Sequence, residues 1–161
     1  MIDEETKHLP FPALGVHVQP SGGKTLVNLA TNVYTEPRPF ERVVTVLTWP
    51  VKIRATPASY TWNYGDGTVE TTNGPGAAYP AGTVTYKYPN RHVETGAVKV
   101  NVTVNYEAWY QVPGGDWQQA GTVSIAGPAT PLLVCEARPV LVDPAGDGDS
   151  PQPDPTNPCT R

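Results

Sequence analysis

The chain is poor in the residue types that most often mark a catalytic or metal-binding protein. Its 161 residues include 3 histidines and 2 cysteines, and 16% of the residues are charged. None of the histidines stands in a nucleophile motif, and the sequence contains no GxSxG elbow, HExxH motif or phosphate-binding glycine loop. These absences predict a protein that is not an enzyme and that binds neither a cofactor nor a metal ion.

The two cysteines are also too few and too isolated for a metal site. Cys135 and Cys159 have no CxxC partner and no nearby histidine, which argues against zinc. A disulfide between Cys135 and Cys159 is the better interpretation, provided that the compartment is oxidising. In the chain-entropy description, the closed loop would contribute about 3 kcal/mol to the free energy of unfolding.

Excess positive charge and long apolar runs are absent as well. A formal net charge of −4 and a pI near 5.3 give no general affinity for phosphate backbones, so nucleic acid is not an expected partner. No apolar run approaches the roughly 20 residues that span a bilayer, so no membrane insertion is expected. The N-terminal MIDEETKHLPFPALG lacks the basic-then-apolar order of a signal peptide. Two alternatives stay open: the protein remains in the compartment where it is made, or it is exported after removal of a signal peptide.

Proline and glycine, by contrast, are plentiful, and they separate short runs that are rich in valine, threonine, tyrosine and tryptophan. No window of useful length has a helical period. The candidate strands are Thr25–Leu29, Arg42–Trp49, Val51–Ala55, Ser59–Tyr64, Val84–Tyr88, Val98–Tyr110, Trp117–Ile125 and Leu132–Val142. Short strands at this spacing predict an all-β protein with the architecture of a β-sandwich.

The composition divides the chain into one domain and two arms. Residues 1–23 are predicted to form an N-terminal arm, in which prolines limit any helix to a short turn over Asp3–His8. Residues 24–142 contain all the candidate strands and form the predicted domain. Residues 143–161 are a tail of proline, aspartate and glycine, which cannot bury enough apolar surface to order itself.

One hairpin can be aligned from the sequence alone. We let the segment Val112–Trp117 carry the turn, with its first residue facing its last. The antiparallel register then pairs apolar with apolar residues on one face, as a half-buried sheet requires: Tyr106 with Val123, and Val104 with Ile125. On the opposite, polar face, this register places Trp109 across from Ala120.

The stretch SYTWNYGDGT raises the choice between a binding site and a core strand. Tyr60, Trp62 and Tyr64 alternate with polar residues, so the three rings share one face of a strand and are predicted to point into the core. The following Gly65-Asp66-Gly67 suits a tight turn in which Asp66 accepts backbone hydrogen bonds. The alternatives are a row of rings that stacks on a ligand and a metal-binding Asp66.

The same residues carry a family resemblance. The segment 62–68, WNYGDGT, resembles the WxFGDGT signature of PKD domains, which are immunoglobulin-like sandwiches. The later segments 87–89 and 96–100 partly resemble the second motif of that family, with a lysine where the family has a histidine. From Leu9 to Val142 the chain is similar to a group of bacterial PKD-containing proteins, most of them exported.

This resemblance implies an immunoglobulin-like, PKD-type antiparallel β-sandwich, to which the composition adds extended N- and C-terminal arms. The structural signature would consist of Trp62, Tyr64, Gly65, Asp66 and Gly67. PKD domains generally serve as non-catalytic spacers, adhesion modules or protein-contact surfaces, so the resemblance implies a secreted or cell-surface location and a role in protein–protein interaction.

Two tryptophans are candidates for a binding surface. Trp109 lies on the predicted polar face, and Trp49 precedes Pro50; tryptophan at such positions can stack on sugars or anchor a protein interface. Alternatively, Trp109 covers a neighbouring strand or is capped by an arm. Three functions remain open: a surface interaction module whose partners are proteins, including copies of itself; a structural protein that decorates a larger particle such as a phage capsid or tail, and is located on the virion; and a carbohydrate-binding module that uses Trp109.

Overall fold

The computed structural model describes residues 10–89 and 97–135. Within these ranges the regular structure consists of strands, without a helix. The strands are β1 (His17–Gln19), β2 (Lys24–Leu26), β3 (Thr31–Tyr34), β4 (Phe40–Val46), β5 (Trp49–Asn63), β6 (Val69–Thr72), β7 (Thr85–Tyr86), β8 (Ala97–Gln111), β9 (Gln118–Ala126) and β10 (Thr130–Cys135).

The strands form two sheets. The smaller has the order β1-β3-β7, and the larger has the order β2-β10-β8-β5-β4, with β6 added to β5 and β9 added to β8. The pairs are antiparallel except for β10 with β2, which are parallel. Side chains of both sheets meet in one hydrophobic core, whose members include Val33, Trp62, Val84, Val102 and Val104. The protein is therefore all-β, and two sheets around one core are consistent with a β-sandwich.

The strands β5 and β8 are the longest, with 15 residues each, and they pair with each other. The sequence predicts two separate strands, Val51–Ala55 and Ser59–Tyr64, where the structure has the single strand β5. That prediction is wrong. The buried residues have odd numbers up to Ala55 and even numbers from Tyr60, a change that resembles a break between two strands. A β-bulge between Pro57 and Ser59 absorbs one extra residue, so both sets face the core.

Other differences concern short or polar strands. The strand predicted over Thr25–Leu29 ends at Leu26, because Asn28 adopts a φ of 62° in the turn that follows. The strands β1, β3 and β6 have only three or four residues and little apolar alternation, so the sequence pattern does not indicate them. The last strand is Thr130–Cys135 instead of Leu132–Val142, whose later part lies outside the described residues.

Part of the predicted N-terminal arm contributes to the core. Phe11, Leu14 and Val16 are buried, and β1 pairs with β3. The ring centroid of Phe11 lies 4.8 Å from that of Phe40 and 5.8 Å from that of Tyr106. The helical turn predicted at Asp3–His8 and the predicted tail, residues 143–161, lie outside the described residues.

Four strands, β4, β5, β8 and β9, lie side by side and end in two neighbouring turns. The first turn is Leu47-Thr48, between β4 and β5, and the second is the segment 112–117, between β8 and β9. Lys52 pairs with Gln111, which brings the two turns to the same end of the sheet. We call this end the tip.

Candidate interaction surface

The three alternating rings belong to the core. Tyr60, Trp62 and Tyr64 have 3%, 0% and 1% of their surface exposed, so the predicted inward orientation is confirmed. The polar atoms of two rings are satisfied by β6: Trp62 Nε1 donates to Thr72 Oγ1 at 2.8 Å, and the Tyr64 hydroxyl donates to Glu70 Oε1 at 2.7 Å. A buried ring that is hydrogen-bonded within the protein offers no face to a ligand.

The Gly65-Asp66-Gly67 segment forms a turn at the end of β5. Both glycines have positive φ, 87° for Gly65 and 91° for Gly67. Asp66 Oδ1 accepts the backbone N–H of Thr68 at 2.9 Å, and Asp66 Oδ2 accepts the hydroxyl of Tyr86. In the described ranges no three His, Cys, Asp or Glu side chains are grouped so that they could hold a metal ion. The contacts of Asp66 therefore stabilise a turn.

Buried tyrosines surround this turn and continue into the core. The Tyr88 hydroxyl donates to the backbone oxygen of Tyr64 at 2.8 Å, and the Tyr106 hydroxyl donates to the backbone oxygen of Pro12 at 2.6 Å. Burial raises the pKa of Tyr64 and Tyr88 far above the usual value, and it raises the pKa of Tyr106 to about 12. These hydroxyls remain protonated at neutral pH and act as structural donors.

The predicted hairpin register is confirmed over the core and wrong near the turn. Tyr106 pairs with Val123, as the sequence predicts, but the register shifts by one residue after Ala108. Trp109 consequently lies opposite Gln119, and Ala120 is left as the extra residue of a bulge. Gly121, with a φ of 122°, gives the backbone the freedom that this bulge needs.

Trp109 lies on the outer, polar face of the large sheet and is half-buried. Its cross-strand partners continue in one row, with Arg54 on β5 and Glu41 on β4. The guanidinium of Arg54 lies 4.3 Å from the ring centroid of Trp117, and Arg54 Nε lies 3.7 Å from Glu41 Oε2. The Arg54 side chain therefore contacts both the ring of Trp117 and the carboxylate of Glu41.

Trp49 lies at the tip, in a group of exposed apolar side chains. The exposed fraction is 81% for Leu47, 61% for Trp49 and 38% for Val112. Val43 is 57% exposed but pairs with Lys52, which places it on the outer face of the sheet. A groove of about 340 Å³ opens beside Leu47 and Trp49, and its other lining residues are Val46, Val51, Val112 and Pro113. The tip unites residues that are more than 60 positions apart in the chain, of which the sequence indicates only Trp49.

The turn that presents Leu47 is conformationally unfavourable for its residues. Leu47 and Thr48 have φ values of 48° and 72°, and they join the paired residues Val46 and Trp49. Two-residue hairpin turns with positive φ at both positions normally contain Asn-Gly, and a β-branched residue there is an outlier. Residues held in such conformations cost of order 1–3 kcal/mol each and concentrate at functional sites.

The remaining predicted position, the cysteine pair, is described only in part. Cys135, at the end of β10, is 4% exposed and disulfide-bonded. Cys159 lies outside the described residues. In the described part of the chain, no helix is long and apolar enough to cross a membrane.

Comparisons of the chain with profiles of known protein families, with curated protein sequences and with solved structures found no match.

Proposed function

We propose that the protein is a PKD-type, immunoglobulin-like β-sandwich that acts without catalysis as an interaction module outside the cell or on its surface, and that it binds a protein partner through the tip. The WNYGDGT segment supports the first part of this proposal. Its Trp62 and Tyr64 are core residues, and its Gly65 packs against the backbone of Lys99, so these residues have structural roles.

The observation that carries the binding proposal is the exposure of Leu47 and Trp49 on a strained turn. Leu47, Trp49 and Val112 together expose on the order of 300 Å² of apolar surface, a size at which a patch on a monomer is often functional. The conformational cost at Leu47 and Thr48 contributes nothing to the hydrophobic core, because the leucine side chain points into solvent. Binding of that side chain by a partner is a physical reason for such a turn.

A protein is the partner that this chemistry fits best. Interface cores are enriched in aromatic and aliphatic anchors and are surrounded by polar residues. Lys52 and Gln111 provide such polar groups beside a second hollow, which also includes Val43, Val112 and Pro113. A standard protein interface buries about 800 Å² on each partner, so the tip would supply the anchor and neighbouring polar strands the rest.

The two alternatives differ in how they would use the surface. The carbohydrate hypothesis needs the ring face of Trp109, but this ring is half-buried in a row that also contains Arg54 and Gln119. Decoration of a larger particle, with location on a virion, is compatible with the tip, because the partner would then be a coat protein. We therefore favour a protein partner in either location.

Site-specific photo-crosslinking tests the proposal. A photoreactive amino acid is placed at Leu47 in the full chain, and the protein is irradiated in an extract of the source cells. We expect one discrete protein adduct, whose yield falls when unlabelled wild-type protein is added in excess. The double variant Leu47→Ser/Trp49→Ala should not compete, because it lacks both anchors.

The matched control is Val69, which is 56% exposed on β6, far from the tip in the register of β5. The photoreactive group at Val69 should give no adduct of that mass, and Val69→Ser should compete like the wild type. The proposal is overturned if the Leu47 position gives no discrete adduct, or if Leu47→Ser/Trp49→Ala competes as well as the wild type.

A further inference from the structure

The strand β9 forms an open edge of the large sheet that lacks the usual protection against pairing. It pairs with β8 on one side, and no other described strand pairs with its second side. Its nine residues, Gln118–Ala126, include neither a charged residue nor a proline. Backbone groups of alternate residues on such an edge point outward and can bond to another extended strand.

The other edges among the described strands are short or carry charge. On β4, Glu41 and Arg42 are exposed, and Arg42 pairs with Ile53, so its charge lies on the core-facing side of the sheet. Glu70 lies on the four-residue β6. The strands β1 and β2 have three residues, and β7 has two. Inward-facing charge and short length are the ordinary means of blocking strand addition, and β9 has neither.

The sequence of β9 is complementary to itself in the antiparallel direction. In a two-fold arrangement centred on Val123, this residue faces its own copy on the core-facing side, and Gly121 faces Ile125. On the outer side, Thr122 faces Ser124, which pairs hydroxyl with hydroxyl. Apolar residues therefore face apolar residues or glycine, and hydroxyls face hydroxyls. Apolar and hydroxyl pairs across two strands are favourable.

We propose that a second copy of this chain pairs with β9, so that the two β9 strands lie antiparallel about Val123 and join the two large sheets into one. The contact is isologous, since each copy supplies the same strand. The partner is an extended polypeptide strand because the edge offers backbone donors and acceptors in register. This contact lies on the other side of β8 from β5, which carries Trp49, and it does not depend on the function proposed for the tip.

The bulge at Ala120 limits how much of β9 can take part. It shifts the register between Ala108 and Trp109, and bulges increase the local twist of an edge. In the register centred on Val123, Ala126 would face the bulged Ala120, so the regular stretch available for pairing is Gly121–Ile125. A contact of five residues from each copy favours a dimer that forms and dissociates with protein concentration.

Sedimentation velocity of the full chain over a range of concentrations tests the pairing. The wild type, of 17.3 kDa, should change from monomer to dimer as the concentration rises. In Thr122→Lys/Ser124→Lys, the substituted side chains of the two copies face each other across the axis. We expect the dissociation constant to increase on the order of ten-fold or more, because like charges directly opposite one another are destabilising.

A charge-swap experiment separates pairing from misfolding. Thr122→Glu/Ser124→Glu should also be monomeric alone, whereas an equimolar mixture of the lysine and glutamate variants should form a heterodimer. The control Thr45→Lys/Val69→Lys adds the same charge on β4 and β6 and should dimerise like the wild type. The inference is overturned if the wild type stays monomeric at all concentrations, if the lysine variant dimerises like the wild type, or if the mixture does not associate.

Discussion

At the scale of the residue, the two glycines of the turn after β5 are required for different structural reasons. Gly65 and Gly67 both have positive φ, but a Cβ at Gly65 would lie 2.6 Å from the backbone oxygen of Lys99, whereas a Cβ at Gly67 would meet nothing within 4 Å. The first glycine is needed for conformation and for close packing between strands, and the second for conformation alone.

We predict that Gly65→Ala lowers the free energy of unfolding by roughly 2–5 kcal/mol, since backbone strain and a clash with backbone atoms add together. Gly67→Ala should lower it by only about 1 kcal/mol, because it carries the strain without the clash. Urea denaturation of both variants measures the difference. Equal losses would show that the approach to Lys99 does not restrict residue 65.

The sequence predicts the role of the rings better than the role of the tip. Alternation of aromatic and polar residues suffices to orient Tyr60, Trp62 and Tyr64, because a strand has a period of two. Leu47 escapes prediction, since leucine and threonine are not residues that mark a turn with positive φ. Its exposure follows from the pairing of Val46 with Trp49, which only the structure provides.

At the scale of the element, the hairpin between β4 and β5 exposes the Leu47 side chain at a cost in the stability of the fold. We predict that Leu47→Asn/Thr48→Gly raises the free energy of unfolding by about 1–2 kcal/mol, because these residues suit a two-residue turn with positive φ. The same double variant, added unlabelled, should no longer lower the yield of the crosslinked adduct as the wild type does, because it lacks the apolar side chain of Leu47.

The single variant Thr48→Gly separates the two effects. It relieves the strain at a β-branched residue and retains Leu47, so it should be more stable than the wild type and still compete for the partner. Urea denaturation and the competition assay are the two measurements. A double variant that competes like the wild type would mean that the turn is strained for a reason other than binding.

Elements differ in how far the sequence specifies them. The register of Tyr106 with Val123 follows from matching apolar residues across two strands, and the structure has it. Bulges are harder to predict. The sequence indicates an extra residue only where the apolar positions of a strand change from odd to even numbers, or the reverse. The change from Ala55 to Tyr60 is such a signal in β5, whereas near Trp109 the polar partners on both sides give no parity to follow.

At the scale of the whole molecule, buried tyrosines join the turn after β5, the core and the N-terminal segment. Tyr64 and Tyr88 are hydrogen-bonded beside the turn, and Tyr106 connects β8 to Pro12. The pKa of each of these groups is higher in the folded protein than the ordinary value of 10.0. Each tyrosine loses its burial, and with it the raised pKa, when the chain unfolds. The free energy of unfolding therefore depends on pH in the alkaline range.

The direction of the pH dependence follows from proton binding. Below about pH 10, the folded and unfolded chains both keep these hydroxyls protonated, and the contribution of Tyr106 is fully present. Above about pH 10, the unfolded chain loses protons that the folded chain retains, so the free energy of unfolding falls as the pH rises. For Tyr106, with a folded pKa of about 12, the slope is up to about 1.4 kcal/mol per pH unit between the two pKa values. Urea denaturation at several pH values between about 9 and 12 measures it.

We predict that Tyr106→Phe makes this slope shallower by about that amount per pH unit, because the variant has no proton to lose at this position. It also lowers stability by about 1 kcal/mol at neutral pH through loss of the hydrogen bond to Pro12. Phe11→Leu is the matched control, since Phe11 packs on Tyr106 but does not titrate. This control should lower stability by a similar amount at every pH and leave the slope as in the wild type. An unchanged slope in Tyr106→Phe would mean that the hydroxyl ionises as readily in the folded protein as in the unfolded chain, and that the N-terminal segment does not exclude water from it.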